Sequence, residues 1–195
     1  MSGAGKSTVC RQFEKAGFFI IDCDKVARQV VEKGEPCLDE LHRLFGNVVI
    51  TESGELDRKA MGDIVFNDRD KLQLLNDTMY PYITYSVISE VRNNREKPVL
   101  LDAPTLFESG IDYICDGVVS VVCDAEASIE RIMKRDGISR ESAESRLSSQ
   151  HNAEFYASRS LFCIENNGDI AALEHKADEI AALLADMSKG NYEKK

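Results

Sequence analysis

An α/β fold, with a parallel sheet covered by helices on both faces to make three layers, is what this 195-residue sequence predicts. Three observations carry it. Short, nearly continuous apolar runs (Phe18-Phe19-Ile20-Ile21, Val99-Leu100-Leu101, Gly117 to Cys123) have the composition of strands buried on both sides. The stretches between them carry helical spacing of apolar residues. Strands and helices alternate along the chain, the order that yields crossover connections and a parallel sheet.

The elements follow in order. The chain opens on Gly3-Ala4-Gly5-Lys6-Ser7-Thr8, the end of the phosphate-binding pattern G-x-x-x-x-G-K-[ST], whose backbone N–H groups wrap nucleotide phosphates. All six are therefore candidate ATP-binding residues. Lys6 is expected to reach the β- and γ-phosphates, and Ser7 to place its hydroxyl on Mg²⁺. Counting back from Gly5 puts the first glycine of the pattern one position before Met1, so the strand that feeds such a loop is expected to be missing from this chain. Val9, Cys10 and Phe13 then form one apolar helical face that Gly17 closes.

After the strand ending at Ile21, a helix is expected from Asp24 to Glu32, with Gly34 and Pro36 breaking it. Pro36 opens the next helix, which turns Leu38, Leu41, Leu44 and Phe45 inward and ends at Gly46. Val48-Val49-Ile50 and a Ser53-Gly54 turn follow. From Asp57 to Asn94 the pattern is helical, with breaks at Asn67-Asp68 and Pro81, and this block reads as an acceptor-binding insertion. Beyond the strand ending at Asp102 come the strand to Cys123, a helix over Ala125 to Arg135, a short polar helix between Ser139 and Gln150, and a strand over Leu161 to Ile164. The Asn166-Asn167-Gly168 turn leads into a stripe of Ile170, Leu173, Ala177, Ile180 and Leu184. The expected organisation is a nucleotide-binding core over 1–56 and 95–187, the insertion over 57–94, a lid over 136–150 and a disordered tail over 188–195.

Composition narrows the function. With 43% hydrophobic residues the chain can bury a core, and its formal net charge of −10 opposes nonspecific nucleic-acid binding. No apolar stretch approaches the ~18 residues of a membrane span, and no signal segment opens the chain, so a cytoplasmic protein is expected. The six cysteines lie apart without metal-ligand spacing and read as reduced, mostly buried thiols; the three histidines make no metal pattern either. A monomer or weak homo-oligomer is expected.

The charged residues at strand ends carry the chemistry. Asp22-Cys23-Asp24 lies just past a strand, where open parallel sheets face their ligands. Asp22 is suited to capping the helix that begins near Lys25, and Asp24 to accepting the proton of an attacking hydroxyl. Asp102 ends its strand where a carboxylate holds Mg²⁺ in phosphoryl-transfer enzymes. Glu108 is a further acid that either binds substrate or faces solvent. Arg135, Arg140 and Arg146 flank or follow Gly137, where a closing lid would bring guanidinium groups onto transferring phosphate oxygens. Arg131 is expected at the surface.

The chain resembles the dephospho-coenzyme A kinase family over almost its whole length. Its landmarks appear in order: Gly3 to Thr8, Ile21 to Asp24, Ala27 to Val31, Leu56 to Arg58, Val65-Phe66, Pro104 to Glu108, Arg131 to Asp136, Ser139 to Gln150 and Asn166 to Gly168. The resemblance implies a P-loop kinase fold and ATP-dependent phosphorylation of the ribose 3′-hydroxyl of dephospho-coenzyme A, giving coenzyme A and ADP. It implies Asp24 as base, with Lys6 and Arg140 beside it in catalysis. It also implies Arg135, Asn167 and Gly168 at the nucleotide, and Arg58, Tyr80, Glu108 and Arg146 at the acceptor. Three departures stand out: Tyr80 replaces the usual histidine before proline, Thr105 replaces a leucine, and the first strand with its leading glycine is absent. The alternatives are another small-molecule P-loop kinase and a catalytically impaired nucleotide-binding protein.

Overall fold

A computed structural model describes residues 1–66 and 68–192. The described chain runs α1 (Lys6–Lys15), β1 (Phe19–Asp22), α2 (Cys23–Gln29), α3 (Pro36–Phe45), α4 (Arg58–Val65), α5 (Arg69–Asn93) and β2 (Val99–Asp102). It continues through β3 (Val119–Val122), α6 (Ala125–Asp136), α7 (Arg140–Ser148), α8 (Ala153–Ser158), β4 (Phe162–Glu165) and α9 (Ile170–Tyr192). The strands form two two-stranded sheets, β1 with β2 and β3 with β4. β3 and β4 are parallel, in register from Val119 opposite Phe162 to Val122 opposite Glu165. Alternating strands and helices with parallel pairing is the α/β class that the apolar runs predict.

Two compact units divide the chain. The first holds residues 1–20, 96–100 and those from 112 onward; the second holds 21–95 and 101–111. In the first, α1 packs against α9. Phe13 on α1 is fully buried and meets Phe18 edge-on with ring centroids 5.0 Å apart. Ala177 and Ala181 of α9 are equally buried, and their small side chains let that helix approach a neighbour closely. Ala4, Val9, Val121, Cys123, Ile164 and Leu173 complete this core, so the segment from Gly3 to Thr8 is itself built into apolar packing.

In the second unit α5 packs against α2, α3 and α4. Cys37, Leu38 and Leu41 turn inward from α3, Met61 and Val65 from α4 and Val87 from α5. The Tyr82 hydroxyl donates to Glu40 at 2.8 Å, tying α5 to α3. Pro36 opens α3 as expected, and Gly46 follows it at φ 81°.

Several sequence expectations are corrected. α5 runs unbroken through Pro81. The ring removes one N–H, and in an isolated helix such a proline costs about 3 kcal/mol. Here the packing of a 25-residue helix on three neighbours outweighs that cost. α8 is not anticipated; Asn152 starts it by accepting from the Phe155 N–H at 2.9 Å. Val48 and Val49 lie in a short 3₁₀ turn, and Ile50 pairs antiparallel with Leu56 across a tight connection. Of the tail expected to be disordered, residues to Tyr192 continue α9, and 193–195 lie outside the described residues, as does Asn67 of the expected Asn67-Asp68 break. Of the six free cysteines only Cys37 and Cys123 are buried, and Cys163 is exposed.

Candidate active site

The first unit carries the loop from Gly3 to Thr8. Gly3 and Gly5 take φ 72° and 100°, the left-handed region that glycine alone enters without strain. Space demands glycine as well: a Cβ on Gly3 would stand 2.8 Å from the Ser128 carbonyl oxygen, and one on Gly5 2.7 Å from the Asn166 Nδ2. Gly5 is the N-cap of α1, and no side chain caps that helix or places an acid in its first turn. The positive end of the α1 dipole therefore faces no acid of its own first turn. Ser7 is exposed, whereas Thr8 is buried, its hydroxyl accepting from Arg11 at 3.2 Å.

Behind the loop stand side chains that sequence reasoning did not place there. Arg131 donates to the Gly3 carbonyl at 3.4 Å and, through both terminal nitrogens, to the Asn166 carbonyl at 3.2 Å. It is half-buried, and the expectation of a surface arginine is corrected: its position on α6, one turn beyond the buried Ser128, carries it under the loop. Asn166 is 7% exposed and its amide donates to the Ala4 carbonyl at 2.8 Å. Gln150 exchanges hydrogen bonds with Ser2, at 2.8 Å from the backbone N–H and 2.9 Å to the hydroxyl. Asn167 turns elsewhere, accepting from the Asp124 N–H at 2.9 Å and donating to its carboxylate at 3.1 Å. Gly168 is exposed beside it.

The expected lid is the segment around α7. Gly137, at φ 65°, ends α6, and the Ser139 hydroxyl accepts from the Ser142 N–H to start α7. All three of its candidate arginines are held by carboxylates. Arg135 grips Asp136 at 2.7 and 2.9 Å, Arg146 reaches the same carboxylate, and Arg140 takes Glu126 through two bonds of 2.7 Å and Glu144 at 2.8 Å. The hydrogen bonds from Arg135, reinforced by Arg146, lower the Asp136 carboxyl to about 2. Arg140 likewise lowers Glu126. Exposed ion pairs of this kind are weak, because solvent screens both charges.

The second unit carries a cavity lined by Asp24, Ala27, Tyr80, Thr84, Thr105 and Ser109, among others. β1 delivers Asp22 to its own C-terminal end, where the carboxylate accepts from the Lys25 N–H at 3.0 Å and starts α2. Asp24 follows in the first turn of α2 and faces the cavity. Tyr80 and Thr84 stand one turn apart on α5, so both reach it from one helix face. Thr84 was legible from that spacing once Tyr80 was chosen. Burial raises the Tyr80 hydroxyl above its ordinary value, and the negative charges of Glu108 and Asp77 raise it further. Glu108 and Arg58 are exposed and are not among the cavity's lining residues; Arg58 opens α4 beside its cap Asp57. Asp102 ends β2.

Ser7 and Asp102 are the candidates for Mg²⁺. Their donors are hydroxyl and carboxylate oxygens, the hard ligands that this ion takes. Among the described residues there is no cluster of three or more His, Cys, Asp or Glu side chains suited to a metal. Mg²⁺ in kinases is commonly held by one or two protein oxygens and the substrate phosphates, and each of these two donors is of that kind. No helix among the described residues is long and apolar enough to cross a membrane.

A family profile described as dephospho-CoA kinase matches residues 2–172. The dephospho-CoA kinase of Fusobacterium nucleatum is 36% identical over 90% of this chain and 90% of its own. A crystal structure from Thermus thermophilus superposes with a TM-score of 0.80 at 31% identity, covering 94% of this chain and 93% of that one. The dephospho-CoA kinase of Campylobacter jejuni superposes with a TM-score of 0.69 at 27% identity, covering 96% and 93%.

Proposed function

The chain belongs to the dephospho-CoA kinase family, and from that premise we propose a division of labour between its two units. The reaction is the ATP-dependent phosphorylation of dephospho-CoA in coenzyme A biosynthesis. In our reading the first unit holds ATP and the second presents the ribose 3′-hydroxyl of the acceptor. The observation that carries the acceptor half is the shared cavity of Asp24 and Tyr80.

Each residue then has a chemical task. Gly3 to Thr8 surround the phosphate chain with backbone N–H groups, and Lys6 sets its ammonium against the β- and γ-phosphates. Ser7 and Asp102 would hold Mg²⁺, which when bound neutralises charge on the phosphate oxygens. Asp24 accepts the proton of the 3′-hydroxyl as its oxygen bonds to the γ-phosphorus and the bond to ADP breaks. Arg140, with Arg135 and Arg146, exchanges its carboxylate partners for phosphate oxygens as the lid closes. Tyr80 keeps its proton and donates a hydrogen bond to the acceptor, with Arg58 and Glu108 contributing at the edge of the acceptor surface. Asn167 and Gly168 lie on the turn that we assign to the base of ATP. The free thiols suit a reducing, cytoplasmic setting.

ADP release coupled to dephospho-CoA and Mg·ATP tests this reading. Asp24→Asn is expected to lower kcat by about 10²- to 10⁴-fold with little change in KM. Turnover of a nucleoside or nucleotide acceptor, with none of dephospho-CoA, would transfer the protein to another small-molecule kinase class. ATP binding without turnover of any acceptor would make it a binding protein.

A further inference from the structure

We propose that Asn166 and Arg131 are positioning residues that aim the phosphate loop. This rests on the reading of Gly3 to Thr8 as the ATP site and adds to it the source of the loop's geometry.

The argument begins with the peptide plane. No peptide bond of the described chain is cis, so each carbonyl and the N–H that follows it point in opposite directions. Asn166 grips the Ala4 carbonyl at 2.8 Å, and the N–H of Gly5 is thereby turned to the opposite side. Arg131 holds the Gly3 carbonyl at 3.4 Å, and the Ala4 N–H on the far side of that peptide closes onto the Met1 carbonyl at 3.3 Å, which fixes the turn that leads into Gly5. A phosphate-binding concavity needs successive N–H groups converging on one point, and convergence requires that the carbonyls be held back.

Asn166 is itself firmly placed. Its N–H donates to the Val122 carbonyl at 2.8 Å, extending the β3–β4 ladder by one bond, and its carbonyl accepts from both terminal nitrogens of Arg131. The sheet, the α6 arginine and the loop are joined through this one residue. Its amide must point Nδ2 toward Ala4, because the oxygen would repel the carbonyl. Gly5 fits against that nitrogen with no room for a Cβ. The loop's glycine and the asparagine are therefore a matched pair separated by 161 positions. Both act through the backbone they hold.

The test compares Asn166→Leu, which keeps the volume and removes the donor, with Arg131→Gln, which is half-exposed and expected to fold. Affinity for inorganic pyrophosphate and for ADP is measured by calorimetry, and KM for dephospho-CoA by coupled assay. Aiming of the N–H groups predicts that pyrophosphate and ADP weaken by the same factor, about tenfold or more, while KM for dephospho-CoA stays within twofold. Equal loss in all three would reduce both residues to general structural support and overturn the proposal, as would unchanged pyrophosphate affinity. Should Asn166→Leu fail to fold, Arg131→Gln decides between these outcomes alone. If the unaltered protein binds neither pyrophosphate nor ADP, the ATP-site reading itself has failed.

Discussion

Tyr80 shows how a single side chain can be legible in type and illegible in circumstance. The sequence identifies a tyrosine where the family usually has histidine, and only the structure shows it facing the cavity beside Asp24. Burial, then Glu108 and Asp77, raises its hydroxyl, so at neutral pH it is a hydrogen-bond donor and no base. Tyr80→Phe is expected to raise KM for dephospho-CoA by about three- to tenfold, the worth of one hydrogen bond. KM for ATP and the pH dependence of kcat between 6 and 9 should stay unchanged, and steady-state kinetics across that range checks both. Asp22 and Asp24 were separable from sequence because a cap and a ligand-facing acid follow different rules. Asn166 was not, since no local pattern reveals a contact made across the fold.

The elements divide in the same way. Caps and turns were readable: Pro36 opens α3, Gly46 and Gly137 end helices, and Ser139 starts α7. Pro81 was misread because propensity is local while the packing of α5 is not. Helix α7 makes its own prediction. Asp136, with its pKa depressed to about 2 by Arg135 and Arg146, favours the folded arrangement at every pH above the ordinary carboxylate value near 4. That contribution is lost progressively as pH falls from about 4 through about 2. A carboxyl NMR titration should place the Asp136 midpoint near 2, and Arg135→Ala should return it toward the ordinary value. ATP that engages these arginines should shift the Asp136 signal at neutral pH; a resonance indifferent to ATP would count against lid exchange.

At the scale of the molecule, the class of fold was readable because buried strands need apolar runs and crossovers need helices. The pairing of β3 with β4 across 43 residues, and the packing of α1 on α9, were not, because hydrophobicity specifies burial without naming a partner. That packing joins stability to function. Phe13 is fully buried on the helix that starts at Lys6, so Phe13→Ala is expected to cost about 3–5 kcal/mol in chemical denaturation. It should also weaken ADP binding under conditions where the fold persists. A change in stability alone would mean that the loop holds its shape without the core beneath it.

The glycine-capped, acid-free start of α1 reaches beyond catalysis. On the proposed reading of Gly3 to Thr8, a loop that receives the phosphates of ATP makes no distinction in principle between them and those of the solution around it. Storage in phosphate or sulfate would supply a surrogate cap, so that melting curves describe a partly liganded protein and nucleotide affinities describe a displacement. On that reading the choice of buffer is a choice of ligand.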